Sequence, residues 1–186
     1  MKKTVLTFGL IAGAILSVMM LATIPFIDRI GFDKGEIIGY TTMILSFLMV
    51  FFGIRSYREN VGNGYISFGR ALSVGLLITA IASVCYVATW EDVYFKLMPD
   101  FAEKYTNYAL AEVRASGVGE QVVELKRQEM KKFVEMYNNP LFNAAITFIE
   151  PLPVGLILTL ISAAILRKKP SLANSDQRIV EPLRSA

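Results

Sequence analysis

The sequence contains no histidine and a single cysteine among its 186 residues. The lack of histidine excludes His-based acid–base catalysis, Ser–His hydrolysis and the usual zinc and haem sites. A single cysteine excludes an intramolecular disulfide, and Cys85 lies inside an apolar run, which is typical of a small buried residue. We therefore expect no catalytic residues, no cofactor and no metal site, and we expect the protein not to be an enzyme.

Charge is also scarce. Charged residues make up 19% of the chain against 54% hydrophobic residues, and the net charge is only +3. Soluble domains are usually about 45–50% apolar. The basic residues occur at the ends of apolar runs and form no continuous basic face, which favours a membrane surface over nucleic acid. The partner that we expect is the lipid bilayer, and we expect no nucleic acid.

Uncharged runs dominate the rest of the chain. A helix that crosses a bilayer needs roughly 20 apolar residues. Four stretches approach or exceed this length, with one charge among them, and they are residues 4–27, 37–54, 71–90 and 141–166. The first is longer than the apolar core of a signal peptide, roughly 7–15 residues, so we interpret it as a retained span. The sequence predicts an all-α fold, with an integral membrane four-helix bundle in residues 1–169.

Small residues recur at every fourth position in these runs. Such residues fall on one face of a helix and let a neighbouring helix approach closely. The residues that we expect to pack helices together are Gly9, Gly13, Ser17, Gly75 and Gly155.

Residues 91–139 are polar and rich in helix-forming residues. They predict two amphipathic helices joined near Gly117, which form a hairpin between the third and fourth spans. Phe101, Tyr105 and Tyr108 fall on one face of the first of these helices. Residues 170–186 are polar and contain prolines, and they predict a disordered tail.

Basic residues indicate the orientation in the membrane. Lys and Arg are in excess at the N-terminus, in the central turn between spans two and three, and after span four. The excess predicts that these segments and both termini face the cytoplasm and that the hairpin is extracytoplasmic. Arg55, Arg58 and Arg70 in the central turn are candidate functional or interface residues, which we interpret as topology signals and contacts with anionic lipids.

Two regions carry a family resemblance. The central turn contains Gly53-Ile54-Arg55, Tyr57-Arg58 and Ile66-Ser67-Phe68-Gly69, followed by Gly75, and the last span contains Phe-Ile-Glu-Pro-Leu-Pro-Val-Gly at 148–155. The chain from Thr4 to Lys169 resembles the bacterial four-span membrane family catalogued as domain of unknown function 4199. The resemblance implies four spans and no particular chemistry. A cytoplasmic (inner) membrane location is the expectation that follows.

Glu150 is the charge inside the fourth span. A carboxylate in a span is a functional hypothesis by default, because it is costly there. Sixteen residues separate it from Arg167, which is roughly 24 Å of helix against a hydrocarbon core of roughly 30 Å. We interpret Glu150 as an anchor near the outer interface or a neighbour of a helix N-terminus. Contact with a partner or ligand, and coupling to protons or ions, stay open as alternatives.

Three functions are compatible with these features. The favoured one is a non-enzymatic role in partner binding or envelope assembly through the extracytoplasmic helices, with a membrane or envelope protein or a second copy of the chain as the partner. The alternative is a small transporter or channel subunit that works as an oligomer. A membrane enzyme acting on lipid is disfavoured, because no nucleophile and base can be assembled.

Overall fold

The computed structural model describes residues 1–169, so the predicted disordered tail lies outside the described residues. Within this part the fold is all-α, as predicted, and the one β-type pairing is an antiparallel bridge between Ile66 and Lys168. The α-helices are α1 (Lys2–Thr23), α2 (Ile27–Ile30), α3 (Phe32–Asn60), α4 (Phe68–Asp92), α5 (Phe101–Ala115), α6 (Glu120–Tyr137), α7 (Pro140–Ile149) and α8 (Leu152–Leu166).

Several of these helices join into longer stretches. A 3₁₀ turn at Ile24–Phe26 connects α1 to α2, and a π-helical turn at Val93–Leu97 extends α4. Four stretches are long and apolar enough to cross a membrane, namely Lys2–Ile30, Phe32–Asn60, Phe68–Leu97 and Pro140–Leu166. They extend beyond the uncharged runs of the sequence, because a helix continues into charged residues where its end reaches water.

Local sequence sets where the helices begin. The Ser67 hydroxyl accepts a hydrogen bond from the Arg70 amide at 3.3 Å and caps α4. The Asn139 side chain accepts one from the Leu141 amide at 3.0 Å and caps α7, which has Pro140 in its first turn. Gly117 has a φ of +77°, a left-handed conformation that favours glycine, and it lies in the predicted join between α5 and α6.

The four spans pack around one core. The α1 helix packs on α3 and α4, and α8 packs on the same two helices from the other side. The centre is filled by apolar side chains with no exposed surface, including Phe47, Val50, Ile54, Val74 and Ile78.

The small residues of α1 lie against α4. Glycine lets the two backbones approach closely, since a Cβ on Gly13 would come within 2.6 Å of the Cys85 Cβ. The Ser17 hydroxyl accepts a hydrogen bond from Thr89 at 2.7 Å, at a separation of 72 residues along the chain. The same separation relates three successive pairs, which are Gly9 with Ile81, Gly13 with Cys85 and Ser17 with Thr89. A constant separation means that α1 and α4 run parallel.

The hairpin of α5 and α6 docks on the start of α3 through residues of α5. Phe32 lies at the centre of the contact, with ring centroids 5.8 Å from Phe101, 5.4 Å from Tyr105 and 5.1 Å from Tyr108. These three aromatic residues, which the sequence places on one face, therefore share one partner. Tyr108 also donates a hydrogen bond to Asp33.

Charge pairs add to this contact. Lys104 lies 3.0 Å from Asp100, the residue just before α5, and 3.1 Å from Asp28 of α2. Hydrogen bonds to Asp100 and Asp28 raise the pKa of Lys104 above its usual value. The hairpin is thus attached to α2 and to the start of α3 at one end of the bundle.

The basic segments gather at the opposite end. The Arg70 guanidinium lies 3.8 Å from the Met1 sulfur, and Ile66 exchanges backbone hydrogen bonds of 3.1 and 2.9 Å with Lys168. The N-terminus, the central turn and the end of α8 therefore share one end, as the orientation argument requires. We call this the basic end and the hairpin end the outer end.

Candidate site in the outer half of the bundle

One face of α3 is directed towards the core. Its buried residues alternate in spacings of four and three, as in helices that pack side by side, and they are Met43, Phe47, Val50, Ile54 and Tyr57. The same spacing continued towards the outer end reaches Tyr40 and Glu36. Tyr40 is 44% exposed, although it continues the spacing of these buried residues.

The exposure of Tyr40 has a structural cause. The packing partners of α3 among the spans are α1, α4 and α8, whereas α7 packs against α4. The core-facing side of α3 is therefore covered by α8 in the half of the bundle near the basic end and left open in the outer half. Few residues of α7 contact α3, and we call the region between these two helices, with α4 behind it, the outer cleft. We define this outer cleft by Glu36, Tyr40, Tyr86 and Glu150.

Glu150 supplies the carboxylate of the cleft. Its Oε2 accepts a hydrogen bond of 3.0 Å from the Tyr86 hydroxyl on α4. Glu36 and Tyr40 on α3 act electrostatically on Glu150 and Tyr86, respectively, and so belong to the same polar region. None of the ion pairs within residues 1–169 involves Glu150 or Glu36.

The helix continues through Glu150, although two of its backbone hydrogen bonds are missing nearby. Glu150 keeps helical dihedral angles, with φ −57° and ψ −51°, so α7 and α8 form one continuous span. Pro151 and Pro153 have no amide proton, which leaves the carbonyls four residues earlier without their usual helical donors. These carbonyls belong to Thr147 and Ile149.

A cavity of about 150 Å³ lies on the other side of Tyr86, between α1, α3 and α4. Its walls are mostly apolar and include Met19, Met20 and Met43, with Trp90 at one end. Gly35 and Gly39 form part of the α3 wall, where the absence of side chains leaves room. Tyr86 therefore separates an apolar cavity from the polar outer cleft.

A closed ring of hydrogen bonds lies beside the cleft and ties the hairpin to the bundle. Trp90 Nε1 donates to the Tyr137 hydroxyl at 2.9 Å, and that hydroxyl lies 3.2 Å from the Thr147 hydroxyl. Thr147 donates to the Asn143 Oδ1, and the Asn143 amide donates to the Tyr137 carbonyl, each at 3.2 Å. Asn143 and Thr147 are buried, so the ring satisfies polar groups that water does not reach.

Two carboxylates affect the pKa of Tyr137, which belongs to this ring. Burial raises its pKa, and the charges of Glu150 and Glu91 raise it further, while the hydrogen bonds with Thr147 and Trp90 lower it. The Oε1 of Glu91 is buried and has no hydrogen-bond partner within residues 1–169.

The three predicted arginines lie at the basic end, far from the cleft. Arg55 pairs with Glu59 at 3.0 Å, and Arg70 is exposed. Arg58 donates to the backbone carbonyl of Leu166 at 3.4 Å and so satisfies a free carbonyl at the end of α8. No local pattern predicts this cap, because the two residues are 108 positions apart.

Tyr86, Tyr40 and Glu36 are the residues of the cleft that sequence reasoning did not single out. A sequence pattern could have indicated two of them, since Glu36 and Tyr40 continue the four-and-three spacing of the α3 core residues that begins at Met43. Tyr86 has no such signal, because its role depends on the meeting of α4 with the junction of α7 and α8.

The four apolar helical stretches and the close contacts between their small residues define a multi-pass helical membrane protein. A family model described as protein of unknown function (DUF4199) matches residues 7–168, and the chain belongs to that family. The match confirms the family resemblance of the sequence. No curated protein and no solved structure matches the chain.

Proposed function

We propose that this protein is a non-enzymatic membrane protein that binds a second membrane or envelope protein through the outer hairpin. The observation that carries the proposal is a second apolar face on α6. The first face contains Val123, which is 1% exposed and packs within the hairpin. The second face is exposed, and its residues are Val122, Leu125, Phe133 and Met136.

These four residues form one stripe. At 3.6 residues per turn they fall within an arc of roughly 80°. Their side chains are 40–62% exposed, with Leu125 the most exposed. Exposed Glu129 falls inside the same arc, between Leu125 and Phe133, so the stripe consists of two apolar patches on one side of α6. Apolar patches with polar neighbours mark interaction sites more often than isolated exposed residues do.

The border of the stripe indicates the kind of partner. Charge lies within and beside it, since Glu129 falls inside the arc and pairs at 3.2 Å with Lys126 at its border. An apolar helical surface that also carries an ion pair is suited to another amphipathic helix, which brings its own apolar residues and complementary charges. We therefore infer that the partner contributes a helix.

A site-specific photo-crosslinker tests the proposal. Placed at Leu125 of the full chain in native membranes, it should give an adduct with one distinct membrane or envelope protein, identified by mass spectrometry. The matched control places the crosslinker at Lys131, which is exposed roughly 120° around α6 from Leu125, and should give no such adduct. Leu125→Glu should abolish co-purification of the same protein while helix content is retained.

Two results would overturn the proposal. Adducts with lipid alone would mean that the stripe lies on the bilayer. Adducts with a second copy of the chain alone would favour the oligomeric transporter or channel, for which ion flux in liposomes is the next measurement.

A further inference from the structure

We propose that a groove between α1 and α4 at the basic end binds an anionic phospholipid from the adjoining leaflet. The lipid phosphate lies between Lys2 and Arg70, and one acyl chain enters the groove. The site is at the opposite end of the bundle from the stripe on α6 and does not depend on it.

The groove is a cavity of about 320 Å³ on the side of the bundle. Its walls are formed by Met1, Lys2, Val5, Leu6, Leu77 and Ile81, and we call it the basic groove. Leu6 is 51% exposed and Leu77 is 43% exposed, so the groove opens outwards between the two helices. Both helices belong to stretches that are long and apolar enough to cross a membrane. An acyl chain can therefore enter the groove directly from the bilayer.

The α4 wall of the groove carries a cation at the basic end. Arg70 precedes Leu77 by seven residues and Ile81 by eleven, so the three side chains fall within an arc of roughly 40° on one face of the helix. The Arg70 guanidinium lies 3.8 Å from the sulfur of Met1, which also lines the groove. Arg70 is therefore located at the mouth of the groove.

The α1 wall carries a second cation at the same level. Lys2 lines the groove itself, and around the helix it falls between Val5 and Leu6, which form the wall below it. It is the only charged residue of the groove wall. The basic groove thus combines two positive charges at its mouth with an otherwise apolar interior.

Neither cation has an anionic partner in the described part of the chain. The ion pairs within residues 1–169 include neither Lys2 nor Arg70. Lys and Arg bind phosphate through charge-assisted hydrogen bonds, and a phospholipid joins a phosphate to apolar chains. Its charge and its polarity therefore both complement the groove.

The neighbouring charges favour an anionic headgroup over a zwitterionic one. Phosphatidylethanolamine carries an ammonium group, which would need a carboxylate of its own. Glu59 at the basic end already pairs with Arg55 at 3.0 Å and with Arg58 at 3.2 Å. A headgroup with a net negative charge, such as that of phosphatidylglycerol, makes no such demand.

The length of the groove suits one leaflet. Its far end is at Ile81, which packs against Gly9 of α1, since a Cβ on Gly9 would lie 2.8 Å from the Ile81 Cβ. Seven residues from Lys2 to Gly9 are roughly 10 Å of helix, and one leaflet is half of a hydrocarbon core of roughly 30 Å. With the two cations at headgroup level, the groove ends within the same leaflet and holds part of one acyl chain.

Lipid binding to the purified full chain tests the headgroup site. In detergent, native mass spectrometry should show phosphatidylglycerol bound more tightly than phosphatidylethanolamine with the same acyl chains. Lys2→Gln combined with Arg70→Gln should weaken phosphatidylglycerol binding about tenfold, equivalent to about 1.4 kcal/mol. The matched control is Lys3→Gln combined with Arg55→Gln, which removes the same charge from the same end outside the groove and should leave this affinity unchanged.

A second pair of variants tests the acyl-chain site. Leu77→Trp should fill the groove and weaken phosphatidylglycerol binding by a similar factor. Leu76→Trp is its control, because Leu76 is 41% exposed on the same helix but does not line the groove. All the substituted side chains are exposed, so we expect each variant to fold, and helix content by circular dichroism checks this.

Several results would overturn the proposal. Equal affinity for the two lipids in the wild type, or an equal loss in both double variants, would mean that the basic end attracts anions without a specific site. Wild-type affinity for phosphatidylglycerol in a folded Leu77→Trp protein would mean that no chain occupies the groove. Displacement of the lipid by an equal concentration of inorganic phosphate would mean that the ligand is a soluble anion.

Discussion

The hydroxyl of Thr79 on α4 lies 3.5 Å from the hydroxyl of Thr159 on α8, and each threonine packs against a glycine of the opposite helix. A Cβ added to Gly75 would lie 2.5 Å from the Thr159 methyl group, and one added to Gly155 would lie 2.3 Å from that of Thr79. Each glycine is one helical turn from the threonine of its own helix. Each of the two helices therefore places one threonine against a glycine of the other.

This reciprocal packing of threonine against glycine predicts that Gly155→Ala destabilises the bundle. The new methyl group has no room beside Thr79, and overfilling a packed contact typically costs about 1–3 kcal/mol. Thermal unfolding in detergent measures the effect, with Gly39→Ala as control, because a Cβ at Gly39 meets nothing within 4 Å. Thr79→Ala in the Gly155→Ala background should recover part of the loss. A Gly155→Ala protein with the same unfolding temperature as the wild type would contradict this packing.

The parallel register of α1 and α4 predicts a specific crosslink. In a Cys85→Ser background, Ser17→Cys combined with Thr89→Cys should form an intramolecular disulfide on mild oxidation, since the two native hydroxyls are 2.7 Å apart. Gel mobility with and without reductant reports the crosslink. Ser17→Cys combined with Thr79→Cys is the control, because Thr79 faces α8, and it should stay reduced. Crosslinking of the control pair in preference to the first would mean that the register is wrong.

The contact between Tyr108 and Asp33 predicts an altered titration. The hydrogen bond to Asp33 raises the pKa of Tyr108 to about 12, above the usual tyrosine value of about 10. Because the folded-state pKa is the higher one, the stabilisation is complete below about pH 10 and is lost as the pH rises towards 12. Isotope-labelled tyrosine NMR in detergent should show the Tyr108 pKa falling towards 10 in Asp33→Asn. An unchanged pKa in that variant would rule out the hydrogen bond as the cause.

Orientation is tested by cysteine accessibility. In a Cys85→Ser background, we expect Ser116→Cys in the hairpin to react with an impermeant maleimide in intact cells, and Asn60→Cys at the basic end to react only after the membrane is opened. Both native residues are exposed, so the membrane alone decides the difference. The reverse pattern would place the hairpin in the cytoplasm.

The sequence by itself determined the features that depend on nearby residues. The number of spans follows from hydropathy over about 20 residues, and the all-α class and the join of the two outer helices near Gly117 follow from composition and spacing. The ladders of Gly9, Gly13 and Ser17 and of Gly75 could be read as close-packing faces, because any helix places every fourth residue on one side.

Only the tertiary structure decided which faces meet. Glu150 was a conspicuous charge in the sequence, but its hydrogen bond comes from Tyr86, 64 residues away, and the carbonyl capped by Arg58 is 108 residues away. The outer cleft also depends on the packing of α7 against α4, with few contacts to α3. The pairing of helix faces results from the packing of all four spans at once, and no local pattern in one helix encodes the position of the others.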